Sequence, residues 1–153
     1  MSGIFFLLLS GCIHGEPAGL SKYVNPFIGA STSTKLAGTY HGLGKTFPGA
    51  AYPFGMVQVS PQTVTGGDNG SGYSDEHRTI EGFAFTQMSG VGWYGDLGNF
   101  MTMPTSGKLR LIAGKEDGTM AGYRSAYDKA SEQASAGYYC TTLTDYGIKV
   151  EAT

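Results

Sequence analysis

Short runs in which apolar and polar residues alternate constrain this chain more than any other feature. They lie at residues 56–59 (MVQV), 107–112 (GKLRLI), 138–143 (YYCTTL) and 148–151 (IKVE). Period-two alternation is typical of strands buried on one face, and clusters of Gly, Asp, Asn and Pro separate the runs. Pro61 is expected to end the first strand. The pattern predicts an all-β fold, an antiparallel β-sandwich.

Composition supports strands and argues against nucleic acid as a partner. The 153 residues include 25 glycines, and 12% of them are aromatic, whereas only 14% are charged against roughly 25% in a typical globular domain. The formal net charge is −2, and Lys and Arg form no run. Nucleic-acid-binding domains normally carry a basic face that neutralises phosphates. The chain is therefore expected to form a single globular domain that binds no nucleic acid.

Residues 89–99 (SGVGWYGDLGN) hold the only tryptophan, Trp93, beside Tyr94 and close to Asp96. Four glycines frame these side chains, and such a cluster needs a reason because glycine loses the most backbone entropy on folding. The segment is either a tightly turning loop or a place where backbone and rings closely approach a ligand. An indole ring covers the apolar face of a sugar, and a carboxylate accepts hydrogen bonds from its hydroxyls.

The N-terminus has the features of an export signal. Residues 4–9 (IFFLLL) are apolar but far shorter than the roughly 20 residues that cross a bilayer. Residues 9–12 (LSGC) resemble a bacterial lipobox, in which Cys12 would be lipidated; the alternative is a buried strand with a chance cysteine. We predict a lipoprotein signal peptide at 1–11, a flexible tether at 12–22 and a partial β-sandwich domain at 23–153.

Lipidation of Cys12 would leave Cys140, the second and last cysteine, without an intrachain partner. Cys140 is then expected to be a small buried apolar residue rather than a catalytic thiol. The expected location is the bacterial envelope, with membrane contact only through the lipid on Cys12.

Two chemical motifs have only partial matches in the sequence. Residues 38–46 (GTYHGLGKT) lack the first glycine of a phosphate-binding loop, and the proline at position 48 prevents the helix that must follow. His41 in this segment could contact a ligand or simply cap a turn. A carboxylate pair would drive glycoside hydrolysis, but sequence alone cannot separate an acid from a base, and a solvated corner is expected for the adjacent pair Asp75 and Glu76. The candidate carboxylates are Asp68, Asp75, Glu76, Glu81 and Asp96.

Several stretches, in order, resemble the N-terminal region of glycoside hydrolase family 92, a family of exo-acting α-mannosidases. The stretches are YVNPFIG at 23–29, TFPGAAYPFGMVQVSP at 46–61, SGYSD at 71–75, IEGF at 80–83, MSGVGWYGDLGN at 88–99 and AGYYCTTLTDYGIKVE at 136–151. They cover nearly the whole chain after the signal. The resemblance implies an N-terminal β-sandwich followed by a C-terminal helical barrel, with the active site between the two domains.

The resemblance further implies calcium-dependent hydrolysis of mannose-containing glycans with inversion. It places the catalytic carboxylates and the calcium ligands in the C-terminal domain, so this chain is expected to hold neither and to be inactive alone. Trp93 and its glycine setting match a loop of α-1,2-mannosidase-like members. The alternative is a non-catalytic carbohydrate-binding or scaffold module. The predicted substrate-binding residues are Trp93, Asp96, Tyr94, His41 and Phe27.

Overall fold

Within the described part of the chain, eight strands and one short 3-10 helix form the regular structure. The computed structural model describes residues 19–30, 46–52, 55–63, 72–85, 100–115 and 117–153. The 3-10 helix Gly19–Tyr23 lies at the predicted boundary between tether and domain. The strands are β1 (Val59–Gln62), β2 (Thr79–Ile80), β3 (Gly82–Phe85), β4 (Phe100–Thr102), β5 (Ser125–Ala126), β6 (Gln133–Ser135), β7 (Tyr138–Leu143) and β8 (Ile148–Ala152).

The strands pair into three antiparallel sheets. Their orders are β1-β3-β4, β2-β5 and β6-β7-β8. Phe83 on β3 and Tyr139 on β7 meet with ring centroids 6.3 Å apart and ring planes 57° apart. This contact joins the two three-stranded sheets through their buried faces. The prediction of an all-β, antiparallel β-sandwich is confirmed.

One apolar core lies between the sheets. Its members come from several strands, so most of their contacts join residues that are distant in sequence. Burying each apolar side chain of this size stabilises the fold by about 1.5–3 kcal/mol relative to leaving it exposed. The fully buried members are Ile80, Phe83, Tyr127, Tyr139 and Leu143, with Val59, Met103, Ala134, Tyr146 and Val150 packed against them.

The two C-terminal runs form the hairpin that their alternation predicts. β7 and β8 pair from Tyr139 opposite Ala152 to Leu143 opposite Ile148. Gly147 in the connecting turn has a φ of +62°, a conformation that side chains rarely adopt, so a glycine is needed there.

The first predicted strand is shifted along the chain. Residues 56–58 lie outside any strand, and Met56 is 83% exposed, whereas β1 starts at Val59 and contains Pro61. Pro61, opposite Phe83, does not end the strand, contrary to expectation. The reason is topological: β1 is an outer strand of its sheet, where a missing N–H can be tolerated.

The predicted strand at 107–112 does not form. Leu109 and Leu111, expected on one buried face, are 73% and 85% exposed. The chain instead bends, and the carbonyls of Ile112 and Ala113 accept hydrogen bonds from the N–H groups of Tyr123 and Arg124 at 2.8 and 2.9 Å. Alternation alone does not make a strand where no sheet covers the apolar side.

Candidate functional site

Most of the predicted site residues lie outside the described part of the chain. Trp93, Tyr94 and Asp96 belong to residues 86–99, and His41 belongs to residues 31–45; neither segment is described. Of the predicted sugar-binding residues, Phe27 is described. What the structure gives for the others is the geometry of the residues that flank their segments.

The Trp93 segment connects two neighbouring strands of one sheet. Phe85 ends β3 and Phe100 begins β4, and these two residues are register partners. Residues 86–99 therefore leave and re-enter the sheet at a single point. Beside that point lies a mainly apolar cavity of about 530 Å³, whose lining includes Val59, Phe83, Phe85, Met103 and Val150. A concave surface thus adjoins the base of the segment that carries Trp93.

The His41 segment also starts and ends at one place. Thr46 follows the segment; its N–H donates to the Gly29 carbonyl at 3.3 Å, and its hydroxyl donates to the Ile28 carbonyl at 2.8 Å. Gly29 has a φ of +77°, and a Cβ there would lie 3.0 Å from the Thr46 hydroxyl oxygen. Glycine at position 29 is required both by conformation and by this close approach.

Phe27 is half-buried beside this point. Its N–H donates to the Asn25 side-chain oxygen at 3.0 Å, which fixes the local turn. Its ring packs on Tyr73, with centroids 6.4 Å apart and planes 43° apart. Tyr73 follows Gly72, whose carbonyl accepts the N–H of Thr63 at 2.8 Å. Phe27 thus associates with the Thr63 end of β1, whereas Phe85 pairs with Val59, about 13 Å away along that strand.

A cluster of polar side chains beneath Phe27 was not predicted. Glu132, with 3% of its side chain exposed, accepts hydrogen bonds from the hydroxyls of Tyr73 at 3.0 Å and Tyr139 at 2.7 Å. Lys129 bridges Glu132 and Asp75 with 2.6 Å ion pairs to each. We call these five residues the tyrosine–carboxylate cluster. Its members come from two separate parts of the sequence, residues 73–75 and 129–139, so no local motif predicts the whole cluster.

Protonation in the cluster follows from burial and neighbouring charge. Burial raises the pKa of Tyr73 and of Tyr139, and the carboxylate of Glu132 raises both further, so each phenol stays neutral and donates. Burial acts to lower the pKa of Lys129, but hydrogen bonds to Asp75 and Glu132 outweigh it and the pKa is raised. The carboxylates are occupied by donors, so the cluster braces residues 73–75 against β6 and β7 and does not form a free acid–base pair.

The candidate carboxylates have different fates. Glu81 is buried and pairs with Arg124 at 2.6 Å, a structural role. The carboxyl of Asp75 is 52% exposed, as a corner residue would be, yet it is tied to Lys129. Asp68 and Asp96 lie outside the described residues. Within the described ranges, no group of three or more His, Cys, Asp or Glu side chains is placed to hold a metal ion.

Cys140 is disulfide-bonded and fully buried in β7, which corrects the expectation of a thiol without a partner. The sequence contains one other cysteine, Cys12, and that residue is not described. A sulfur that carries a lipid through a thioether cannot also form a disulfide. Lipidation of Cys12 and its pairing with Cys140 are therefore mutually exclusive.

Among the described residues, no helix is long and apolar enough to span a bilayer.

Comparison with known proteins gives one consistent result. The model of the glycosyl hydrolase family 92 N-terminal domain matches residues 23–153. An uncharacterised secreted glycosidase of Arthroderma benhamiae is 32% identical over 123 residues, which are 78% of this chain and 15% of that protein.

Solved structures agree with that match. A family GH92 α-mannosidase from Bacteroides thetaiotaomicron superposes with a TM-score of 0.74 at 40% sequence identity, and the match covers 87% of this chain and 17% of the mannosidase. The same mannosidase in complex with mannoimidazole superposes with a TM-score of 0.71 at 38% identity, covering 87% of this chain and 16% of the mannosidase. An inverting GH92 mannosidase from the same species superposes with a TM-score of 0.56 at 27% sequence identity, covering 87% of this chain and 16% of that mannosidase. The chain thus spans about one-sixth of the length of these relatives. It belongs to glycosyl hydrolase family 92 and corresponds to the N-terminal domain of that family.

Proposed function

We propose that this chain is the sugar-facing N-terminal domain of a calcium-dependent, inverting exo-α-1,2-mannosidase that acts on mannose-containing glycans. The observation that carries the proposal is the family match over residues 23–153, together with the 40% identity to a GH92 α-mannosidase. The relative's complex with mannoimidazole supports a mannose-type ligand. The inverting relative supports the stereochemical course.

The proposed role of this domain is binding. Trp93 stacks on a sugar ring with Tyr94 beside it, and Asp96 accepts hydrogen bonds from hydroxyls or braces the segment. His41 is proposed to contribute from the second segment, and Phe27 from beside it. The concave apolar surface beside Phe85 and Val59, next to the point where the Trp93 segment joins the sheet, supports this role.

The hydrolytic step is proposed to belong to residues beyond this chain. Inversion needs an acid and a base roughly 6.5–9.5 Å apart with a water between them. Among the described carboxylates, the two least exposed, those of Glu81 and Glu132, are engaged by Arg124 and Lys129. The calcium ion is proposed, from the family resemblance, to bind in the part of the relatives' length that this chain does not cover.

The experiment compares this 153-residue chain with a protein of the relatives' length. The longer protein should hydrolyse α-1,2-linked mannobiose faster than the α-1,3 and α-1,6 isomers, release β-mannose first by proton NMR, and lose activity with a chelator. The short chain should show no turnover. Mannobiose binding without hydrolysis by the longer protein would favour a carbohydrate-binding or scaffold module instead.

We propose further that the chain is exported. The secreted relative and the disulfide at Cys140 both support export, because disulfides persist in oxidising compartments. Anchoring in the bacterial envelope through Cys12 follows from the lipobox resemblance. Mass spectrometry of the native protein separates the two fates: a diacylglyceryl adduct on Cys12 establishes the anchor, and a peptide linked through Cys12 and Cys140 rejects it.

A further inference from the structure

A cavity of about 540 Å³ opens between residues 106–122 and the β2–β5 pair, and it shares no lining residue with the cavity beside Phe85. Among its described lining residues, four have cationic side chains and one, Asp145, has a carboxylate. The whole sequence has ten Lys and Arg residues and a net charge of −2, so this concentration of positive charge comes from the fold and not from composition. The cationic side chains are Lys108, Arg110, Lys115 and Arg124.

Two glycines hold the cationic segment in place. A Cβ on Gly122 would lie 2.1 Å from the Ala113 carbonyl carbon, and one on Gly114 would lie 2.6 Å from the Gly122 nitrogen. The two stretches of backbone therefore approach as only glycine permits. The hydrogen bond from the Arg124 N–H to the Ala113 carbonyl, at 2.9 Å, fixes residues 108–115 beside Arg124.

Arg124 is a rigid wall of the cavity. Its side chain is 8% exposed, and one terminal nitrogen pairs with Glu81 at 2.6 Å. The other donates to the Thr63 carbonyl and to the Thr79 hydroxyl, both at 3.2 Å. Glu81 balances the Arg124 charge, and the Asp117 carboxylate interacts electrostatically with Lys115, so the positive charge that faces the cavity comes mainly from Lys108 and Arg110.

The remaining groups leave that charge directed at the cavity. Arg110 donates to the Gly122 carbonyl at 3.3 Å, which orients its guanidinium without neutralising it. The Asp145 carboxylate accepts the Ala126 N–H at 3.0 Å. Across the described ranges, neither Lys108 nor Lys115 has a salt bridge.

We propose that this cavity binds a tetrahedral oxyanion of the phosphate or sulfate class. Such an anion has several acceptor oxygens, and charge-assisted hydrogen bonds from Lys and Arg are the strong interactions that recognise it. Lys108, Arg110 and Lys115 are exposed, and they line one concave surface together with the buried and fixed Arg124. The inference does not depend on mannoside hydrolysis.

The test measures binding of inorganic phosphate to the native-length protein by calorimetry. Replacing Lys108→Gln and Lys115→Gln together should raise the phosphate Kd at least tenfold. The matched control, Lys22→Gln with Lys149→Gln, removes the same charge elsewhere and should change Kd less than twofold. Equal effects in the two variants, or no binding of 10 mM phosphate, would overturn the proposal.

A second arm distinguishes the source of the anion. Mannose 6-phosphate binding at least tenfold tighter than inorganic phosphate identifies a phosphate carried on a sugar, whereas equal affinity identifies the free anion. The affinity for mannose alone should be the same in the wild type and in the variant that lacks Lys108 and Lys115. Because the readout is binding, these results stand whether or not the protein hydrolyses mannosides.

Discussion

The central strand of one three-stranded sheet and an outer strand of the other differ in burial and in how they are tied. Strand β7 contains Tyr139, Cys140 and Leu143, none of them exposed, and the tyrosine–carboxylate cluster fastens its sheet to residues 73–75. Strand β4 pairs with β3, and its three residues are all exposed, with Phe100 at 75%. The segment that carries Trp93 joins its sheet at β4, the exposed strand.

This difference separates stability from recognition. Strand β7 packs in the core, whereas the proposed sugar-binding segment joins β4, whose residues are exposed. Binding segments are commonly placed on a scaffold in this way, because a loop can vary while the scaffold stays packed. The three stability predictions that follow test whether the asymmetry is real.

The largest expected effect is from removing core volume in β7. Leu143→Ala should lower the free energy of unfolding by about 2–5 kcal/mol, because it leaves a cavity at a fully buried position. Phe100→Ala, at an exposed position of β4, should cost less than about 1 kcal/mol. Urea unfolding of the purified protein measures both. Similar losses would mean that β7 and β4 contribute alike.

A smaller effect is expected in the tyrosine–carboxylate cluster. Glu132→Gln removes the buried charge that Lys129, Tyr73 and Tyr139 share, and should cost about 1–3 kcal/mol. Glu76→Gln is the matched control at an exposed position and should stay within about 0.5 kcal/mol. If Glu132→Gln unfolds at the same urea concentration as the control, the cluster does not stabilise the sheet.

The smallest effect is a loss of stability in alkali. The folded-state pKa values of Lys129, Tyr73 and Tyr139 are raised. Their stabilising contribution is therefore complete below their unfolded pKa values near 10 and is lost as pH rises above them. Urea unfolding at pH 8 and pH 10.5 should show the fall. Tyr139→Phe should be less stable than the wild type at pH 8, but its free energy of unfolding should fall less between the two pH values. An equal fall in the two proteins would contradict a contribution from the raised pKa of Tyr139.

The sequence predicted those parts of the fold that local pattern determines. The β7–β8 hairpin follows from alternation and from the glycine at position 147, both of which act within a few residues. The run at 107–112 has the same alternation but no neighbouring strand, and Pro61 is tolerated only because β1 is an outer strand. Sheet order is a non-local property, so neither outcome could be read from the local pattern.

The candidate site divides in the same way. The Trp93 segment was recognised from its composition, and the structure supplies its attachment at Phe85 and Phe100. The cluster around Glu132 could not be predicted, since Tyr73 and Glu132 are 59 positions apart and neither lies in a motif. The cationic cavity was missed for a similar reason, because Lys108 and Arg124 come together only through the close approach of two glycines.

The most direct test concerns Trp93 itself in a protein of the relatives' length. The aromatic contact is expected to contribute about 1 kcal/mol, so Trp93→Ala should raise KM for α-1,2-mannobiose about fivefold, and Trp93→Phe, which keeps an aromatic face, should recover most of it. Equal kcat/KM in the wild type and Trp93→Ala would contradict a sugar-facing role for this domain.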